Sequence, residues 1–303
     1  MPREQRELVG YPSGWTPPAW PDDCTLAVSI VVNVEEGSHR SFLLGDGATE
    51  TSGEGFFADG TTDDERIASW FAYARRSGLP RLDAIFRELG VPVTAFAAAL
   101  ALERDPEIAR IIREGDYEVC SHGHRWVPTN DLSAAEMVDH VHAAVDSLTA
   151  TTGRRPRGWF SRGPNTFLRD ALVAEGGFLY DSDAFADDLP WFVEVDGRPW
   201  LVIPYSFAFN DMKFWRSPGV SSPSEWQSQL TAGFERLLVE SRTSPKMMSV
   251  GLHLRSAGLP ARADAVREFL ATVIQTPGVW VTTREEIARH WWAHVDEVPL
   301  LRG

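Results

Sequence analysis

The sequence predicts a single α/β domain whose parallel strands form a closed, barrel-like sheet. Strand and helix patterns alternate about seven times along the 303 residues, with no Pro/Gly/Ser linker or shift in composition between them. The first strand, residues 26–33, is almost entirely apolar and rich in Val and Ile, as in parallel strands that are buried on both faces. The chain is long enough for one large barrel or two ordinary domains, and the unbroken alternation favours one barrel over residues 1–303.

The segments on either side of this first strand are irregular. Residues 1–24 contain four prolines between positions 12 and 21 and are expected to form an extended lead around the outside of the domain. Residues 38–60 contain five glycines, and loops of this length usually serve a function or are mobile. We expect this segment to form a lid, a wall of the pocket or a subunit contact.

Capping signals and periodicity place the other elements. Residues 62–65 and 133–136 have the form of capping boxes, and Thr283 is expected to cap the last helix. The predicted helices cover about 66–76, 80–89, 106–114, 166–175, 224–240 and 262–274, together with one after Ser133 and one after Thr283. The predicted strands cover 93–97, 117–120, 157–160, 178–181, 192–195, 200–203, 247–253 and 279–281.

Composition excludes several classes of partner. The formal net charge of −14 argues against binding to nucleic acid or to anionic membranes. No stretch approaches 18 consecutive apolar residues, and the N-terminus lacks the apolar region of a secretory signal. Cys24 and Cys120 are too few for a disulfide framework, so we expect two thiols in a cytoplasmic protein.

Potentially reactive side chains follow five of the predicted strands. These groups are Glu35 with Glu36, His122 with His124, Arg162, Asp181 with Asp183, and His253. Each has a simpler explanation when taken alone: an exposed acidic turn, a structural histidine, a turn cap or a surface arginine. In α/β sheets and barrels, however, chemistry lies at the carboxyl ends of the strands. If the five ends share one rim, they supply the base, acid and donors that hydrolysis requires.

At these strand ends the sequence resembles the polysaccharide deacetylase superfamily (NodB homology, carbohydrate esterase 4). Its five motifs appear in order as 33–36 (NVEE), 121–126 (SHGHRW), 162–165 (RGPN), 180–191 (YDSDAFADDLPW) and 252–255 (LHLR). The match is closer to the cofactor-independent allantoinases and cyclic-imide hydrolases, through 158–160 (GWF), 177–183 (GFLYDSD), 202–205 (VIPY), 210–214 (NDMKF) and 287–291 (IARHW). The resemblance implies a distorted (β/α)7 barrel and a hydrolase of carbon–nitrogen bonds other than peptide bonds.

One departure bears on metal binding. The second histidine of the usual metal motif, four residues after His122, is Trp126. The ligands that remain are too few for a tight Zn²⁺ site, which requires three protein ligands. We therefore expect no cofactor; if zinc is bound, the ligands would be Glu36, His122 and His124.

The resemblance also implies roles for individual residues. Glu35 occupies the position of the base that activates water, and His253 the position of the acid that protonates the leaving nitrogen. Arg162 and Asp183 would hold and tune these two groups, with Arg162 as the cation that keeps Glu35 charged while Glu36 stays protonated. The expected lining of the substrate pocket is Glu36, His122, His124, Arg125, Trp126 and Asn165.

The sequence thus predicts a metal-independent hydrolase of a small amide, ureide or cyclic imide, and we expect it to be a homo-oligomer. Two alternatives stay open. One is a metal-dependent N-deacetylase of polysaccharide or peptidoglycan, which the missing signal peptide and Trp126 disfavour. The other is an inactive binding protein on the same barrel, which the presence of Glu35 and His253 disfavours.

Overall fold

The computed structural model describes residues 10–51, 60–216 and 219–301. The first nine residues of the predicted lead and residues 52–59 of the glycine-rich segment therefore lie outside the described residues. The described part of the lead packs on the barrel, where the Trp20 indole donates to the carbonyl of Lys246 at 2.8 Å. No helix within the described ranges has both the length and the apolar character to cross a membrane.

The strands lie in one mostly parallel sheet. They are β1 (Leu26–Val34), β2 (Thr94–Ala97), β3 (Glu118–Ser121), β4 (Gly158–Trp159), β5 (Tyr180–Asp181), β6 (Trp191–Val195), β7 (Arg198–Val202), β8 (Lys246–His253), β9 (Val279–Thr282) and β10 (Leu300–Leu301). The sheet order is β10-β6-β7-β5-β4-β3-β2-β1-β8, and β9 also pairs with β1. Among the strands described here, only the β6–β7 hairpin is antiparallel. All nine residues of β1 are buried, which confirms the strand predicted from its apolar run.

The helices cover the outside of the sheet. They are α1 (Glu65–Tyr73), α2 (Leu79–Leu89), α3 (Ala99–Arg104), α4 (Pro106–Glu114), α5 (Ala134–Thr152), α6 (Leu168–Glu175), α7 (Pro223–Ser241), α8 (Leu254–Ala257), α9 (Pro260–Gln275) and α10 (Arg284–Ala293). A π-helical turn, Ala74–Gly78, joins α1 to α2. The capping box at Ser133 is confirmed, whereas the one predicted at residues 62–65 is wrong: Asp64 is the cap and accepts from the Arg66 amide.

The sheet curls so that the segment after β7 contacts β1 and β8. β7 and β1 are separated by four strands in the sheet order, yet the Asn33 amide donates to the Tyr205 hydroxyl at 3.1 Å. The Gly251 amide of β8 also donates to the carbonyl of Phe209, in the segment after β7, at 3.0 Å. Seven strands (β1–β5, β7 and β8) therefore form the distorted (β/α)7 barrel that the sequence predicts. Its seam between β7 and β8 is joined by these local contacts, without a continuous ladder.

Candidate active site

Strand pairing brings the predicted base and acid together. β1 and β8 are parallel neighbours with Asn33 opposite His253, so the residues that follow β1 lie beside the end of β8. Glu35 and Glu36 are both buried there. β3 ends one residue before His122, and this histidine approaches Glu35 from the side of β1 opposite to β8.

Glu35 is the centre of the cluster. Its Oε1 atom lies 3.6 Å from His122 Nε2 and 3.5 Å from His253 Nε2. Its Oε2 atom accepts a hydrogen bond from Arg255 Nη1 at 2.9 Å. One oxygen thus faces two imidazoles, and the other is held by a guanidinium.

Glu36 shares the same guanidinium. Its Oε1 atom accepts from Arg255 Nη1 at 3.1 Å, and its Oε2 atom accepts from the backbone amide of Glu35 at 3.0 Å. Both oxygens are therefore engaged within the site. The Glu36 side chain is therefore held by Arg255 and by the backbone of Glu35.

Asp211 positions His253. Asp211 Oδ1 lies 2.6 Å from His253 Nδ1, and Oδ2 accepts from the His253 backbone amide at 2.9 Å. Because a carboxylate only accepts, the Nδ1–H of the ring is directed at Asp211, and Nε2 is the atom directed at Glu35. Asp211 opens the short 3₁₀ turn Asp211–Phe214 and is fully buried.

The charges of the cluster set its protonation states. Burial alone would raise the pKa of Glu35, but Arg255 and His253 outweigh it and hold this pKa well below its usual range. Burial raises the pKa of Glu36, Arg255 opposes the rise, and the charge of Glu35 adds to it. Burial alone would lower the pKa of His253, but the carboxylates of Asp211 and Glu35 raise it to about 10. At neutral pH, Glu35 is therefore ionised and His253 is protonated. Of the two glutamates, Glu36 keeps its proton more readily.

The ring of His122 is fixed by a backbone contact. Its Nδ1–H donates to the carbonyl of Phe160, at the end of β4, over 2.9 Å. The ring also stacks on that of Phe160, with 4.9 Å between the centroids. His122 thus presents Nε2 to the site in a defined orientation.

Arg162 and Asp183 contact other groups than the two they were predicted to hold. Arg162 forms a two-pronged pair with Glu50, at 2.6 and 2.9 Å, and the cation beside Glu35 is Arg255. Asp183 accepts from the Ser161 amide at 2.8 Å, and the carboxylate beside His253 is Asp211. Sequence reasoning missed Arg255 and Asp211, although both lie inside the motifs 252–255 and 210–214.

Three of the predicted pocket residues are engaged in holding loops. Arg125 pairs with Asp46 at 2.7 and 2.9 Å. The side-chain amide of Asn165 donates to two loop carbonyls, those of Thr129 and Leu132. His124 lies 3.6 Å from Glu103, and its side chain is 32% exposed. Their contact with a substrate stays a prediction.

Trp126 is the buried neighbour of both arginines. The guanidinium carbon of Arg162 lies 3.9 Å from the centroid of the Trp126 ring, and that of Arg255 lies 5.7 Å away. Trp126 is therefore a wall of the site rather than a ligand.

The described residues do not fit the metal centre that the family resemblance implies. Among them, no group of three or more His, Cys, Asp or Glu side chains is arranged to hold a metal ion. His124 lies beside Glu103, and it forms no ligand group with Glu36 and His122 in the described part of the chain. The guanidinium of Arg255 already bonds Glu35 and Glu36, and Glu36 is one of the three ligands expected for zinc.

Comparisons with known proteins agree with this architecture. The sequence profile of the polysaccharide deacetylase family matches residues 59–175. A Schizosaccharomyces pombe protein provisionally named a polysaccharide deacetylase is 31% identical, over 96% of this chain and 98% of the relative.

Two solved structures are similar over nearly the whole chain. A Pseudomonas aeruginosa protein provisionally described as a polysaccharide deacetylase is 38% identical, with a TM-score of 0.87, covering 92% of this chain and 95% of that one. The PuuE allantoinase is 36% identical, with a TM-score of 0.88, covering 94% of this chain and 98% of that one.

Proposed function

From the premise that this chain belongs to the polysaccharide deacetylase family and is a hydrolase of carbon–nitrogen bonds other than peptide bonds, we propose that it opens a small cyclic amide, ureide or imide without a metal ion. The observation that carries the proposal is the group formed by Glu35, His253 and Arg255. A fixed organic cation, the guanidinium of Arg255, already bonds both buried glutamates of this group. The similarity to an allantoinase supports a ring-opening substrate.

In the proposed reaction, Glu35 Oε1 accepts a proton from water as the water attacks the substrate carbonyl carbon. This oxygen faces the imidazoles of His122 and His253 and is the oxygen that Arg255 leaves unbonded. Since Glu35 is ionised over the whole neutral range, the base is in the correct form before the substrate arrives.

His253 gives the proton that the leaving nitrogen needs. Its raised pKa keeps Nε2 protonated at neutral pH, and Asp211 holds Nδ1 so that Nε2 points into the site. When the carbon–nitrogen bond of the tetrahedral intermediate breaks, the Nε2 proton passes to the leaving nitrogen, and the bond electrons stay with that nitrogen. Transfer by a positioned acid or base typically contributes about 10²–10⁴-fold to the rate.

A turnover screen tests the proposal. The chelated protein would be assayed on allantoin, hydantoins, succinimides and acetylated sugars, with ring opening or acetate release followed directly. We expect turnover of at least one cyclic amide, ureide or imide and none of the acetylated sugars. Release of acetate alone, and only after Zn²⁺ is added, would favour the metal-dependent deacetylase and reject this proposal. A cytoplasmic location and a homo-oligomeric state stay predictions.

A further inference from the structure

We propose that Arg255 is the resident cation of the active site: its guanidinium joins Glu35 to Glu36, fixes the orientation of Glu35, and supplies a positive charge that the site would otherwise need from a metal ion. The inference rests on the proposed function, in which Glu35 is the base. It assigns a positioning role to a residue that acts on the reaction through Glu35.

A single nitrogen makes both contacts. Arg255 Nη1 lies 2.9 Å from Glu35 Oε2 and 3.1 Å from Glu36 Oε1. The Arg255 side chain is 0% exposed, and those of the two glutamates are 2% and 6% exposed. In so dry a place the attraction between opposite charges is strong, and a second cation beside the guanidinium would be repelled as strongly.

The surroundings suit a guanidinium better than an ammonium or a metal ion. The guanidinium carbon lies 4.4 Å from the centroid of Phe71, 5.3 Å from that of Trp215 and 5.7 Å from that of Trp126. Aromatic faces attract a cation, and the planar, weakly hydrated guanidinium tolerates burial against them. A metal ion would instead require further oxygen, nitrogen or sulfur ligands at this point.

The register of β1 and β8 places Arg255 beside Glu35 and Glu36. Asn33 is opposite His253 in the β1–β8 register, so residues that follow each strand lie near one another. Arg255 follows His253 by two residues, just as Glu35 follows Asn33. The helix α8 starts at Leu254 and turns the arginine back over the end of β1.

Without this cation two buried carboxylates on adjacent residues would lie side by side with no guanidinium between them, which is unfavourable in a dry site. Arg255 Nη1 bonds one oxygen of each glutamate. The other oxygen of Glu35 is left facing the imidazoles of His122 and His253. The base is thereby oriented by a residue of the chain.

The first test needs no substrate. In Arg255→Ala the two carboxylates lose their cation, so millimolar guanidinium chloride should bind the vacated site and raise the melting temperature. Tetramethylammonium chloride at the same concentration should not, and Arg255→Ala/Glu35→Gln should not respond to guanidinium. A rise of equal size in the wild-type protein, in the double variant or with tetramethylammonium would overturn the proposal.

The second test measures turnover of the substrate found in the screen. Arg255→Ala should lower kcat by about 10²–10³-fold, as removal of one electrostatic group in a hydrolase site does, and guanidinium should restore at least about tenfold. If Arg255→Ala works at the wild-type rate without guanidinium while Glu35→Gln is inactive, the role of Arg255 is rejected and the proposed function is not. Full activity of Glu35→Gln rejects the proposed function itself.

A second pair of variants covers the case in which Arg255→Ala does not fold. Arg255→Lys keeps the charge, whereas Arg255→Gln keeps only hydrogen-bonding capacity. The lysine variant should retain at least about tenfold more activity than the glutamine variant, because the charge rather than the hydrogen bond is required. Equal activities of the two would contradict the proposal.

Discussion

The arginines of two arginine–glutamate pairs lie over the same indole, that of Trp126. The pairs differ in how many carboxylate oxygens the arginine bonds. Arg162 holds Glu50 through two nitrogens, at 2.6 and 2.9 Å, and lies 3.9 Å from the ring centroid. Arg255 holds Glu35 through one nitrogen at 2.9 Å and lies 5.7 Å from the same centroid. Both glutamates are buried.

The difference separates an architectural ion pair from a reactive one. In the first pair both carboxylate oxygens are bonded by one guanidinium, which fixes the segment of Glu50 against the end of β4. In the second pair one oxygen of Glu35 is left facing two imidazole nitrogens within 3.6 Å. The same two residue types therefore stabilise a loop or prepare a base according to how many oxygens the arginine occupies.

The largest effect is expected for the base itself. Glu35→Gln keeps shape and hydrogen-bonding reach but removes the proton acceptor, so kcat should fall by about 10²–10⁴-fold. Glu36→Gln should cost less, because Glu36 is the partner that keeps a proton more readily. Steady-state kinetics of both variants, with circular dichroism as the control for folding, checks this. Equal and total inactivation would mean that Glu36 works as a carboxylate.

Stability should depend on pH through His253. A folded-state pKa raised to about 10, against about 6.5 in the unfolded chain, gives a stabilisation that is fully present below pH 6.5 and is lost as pH rises towards 10. The free energy of unfolding should therefore decline on the alkaline side by on the order of a few kcal/mol. Denaturant titrations between pH 6 and 10 measure the decline. A free energy of unfolding that does not change over this range would mean that Asp211 and Glu35 do not stabilise the protonated form of His253.

The link between Asp211 and His253 should affect both rate and pH profile. Asp211→Asn keeps the size of the side chain but removes its charge, so kcat should fall about 10²-fold, at the low end of the 10²–10⁴-fold that a positioned acid contributes. The same variant should flatten the alkaline decline in stability. Unchanged kcat together with an unchanged pH profile would show that the pair does not act on the reaction.

Glu50→Gln is the matched control for Glu35→Gln. It weakens the bond to Arg162 and should reduce the free energy of unfolding by about 1–3 kcal/mol. Because Glu50 has no proposed part in proton transfer, kcat should stay within about tenfold of the wild-type value. A loss of kcat as large as that of Glu35→Gln would erase the distinction between the two pairs.

The sequence predicted the elements well because they depend on local patterns. The apolar run of β1 and the polar groups after β1, β3 and β8 can be read directly from neighbouring residues. The barrel followed from their alternation together with the family resemblance. The helices α3 and α8 were missed because they are short, six and four residues long.

The partners within the site could not be read in this way. Arg255 meets Glu35 only because β1 and β8, some 220 residues apart, are neighbours in register. Asp211 lies in an irregular stretch after β7, where no periodicity indicates the direction of a side chain. Arg162 was predicted beside Glu35 from its place in the motif 162–165, whereas its partner Glu50 lies in the glycine-rich segment, which carries no pattern of secondary structure. The catalytic roles of Glu35 and His253 stay predictions.

Removal of metal tests the central claim most directly. The protein would be dialysed exhaustively against chelator, its residual metal measured by elemental analysis, and its turnover of the substrate compared before and after. Because Arg255 already bonds both glutamates and His124 is not grouped with Glu36 and His122 as ligands within the described residues, we expect turnover to stay at the untreated value with metal far below one ion per chain. Turnover that vanishes with the chelator and returns with Zn²⁺ would contradict the account.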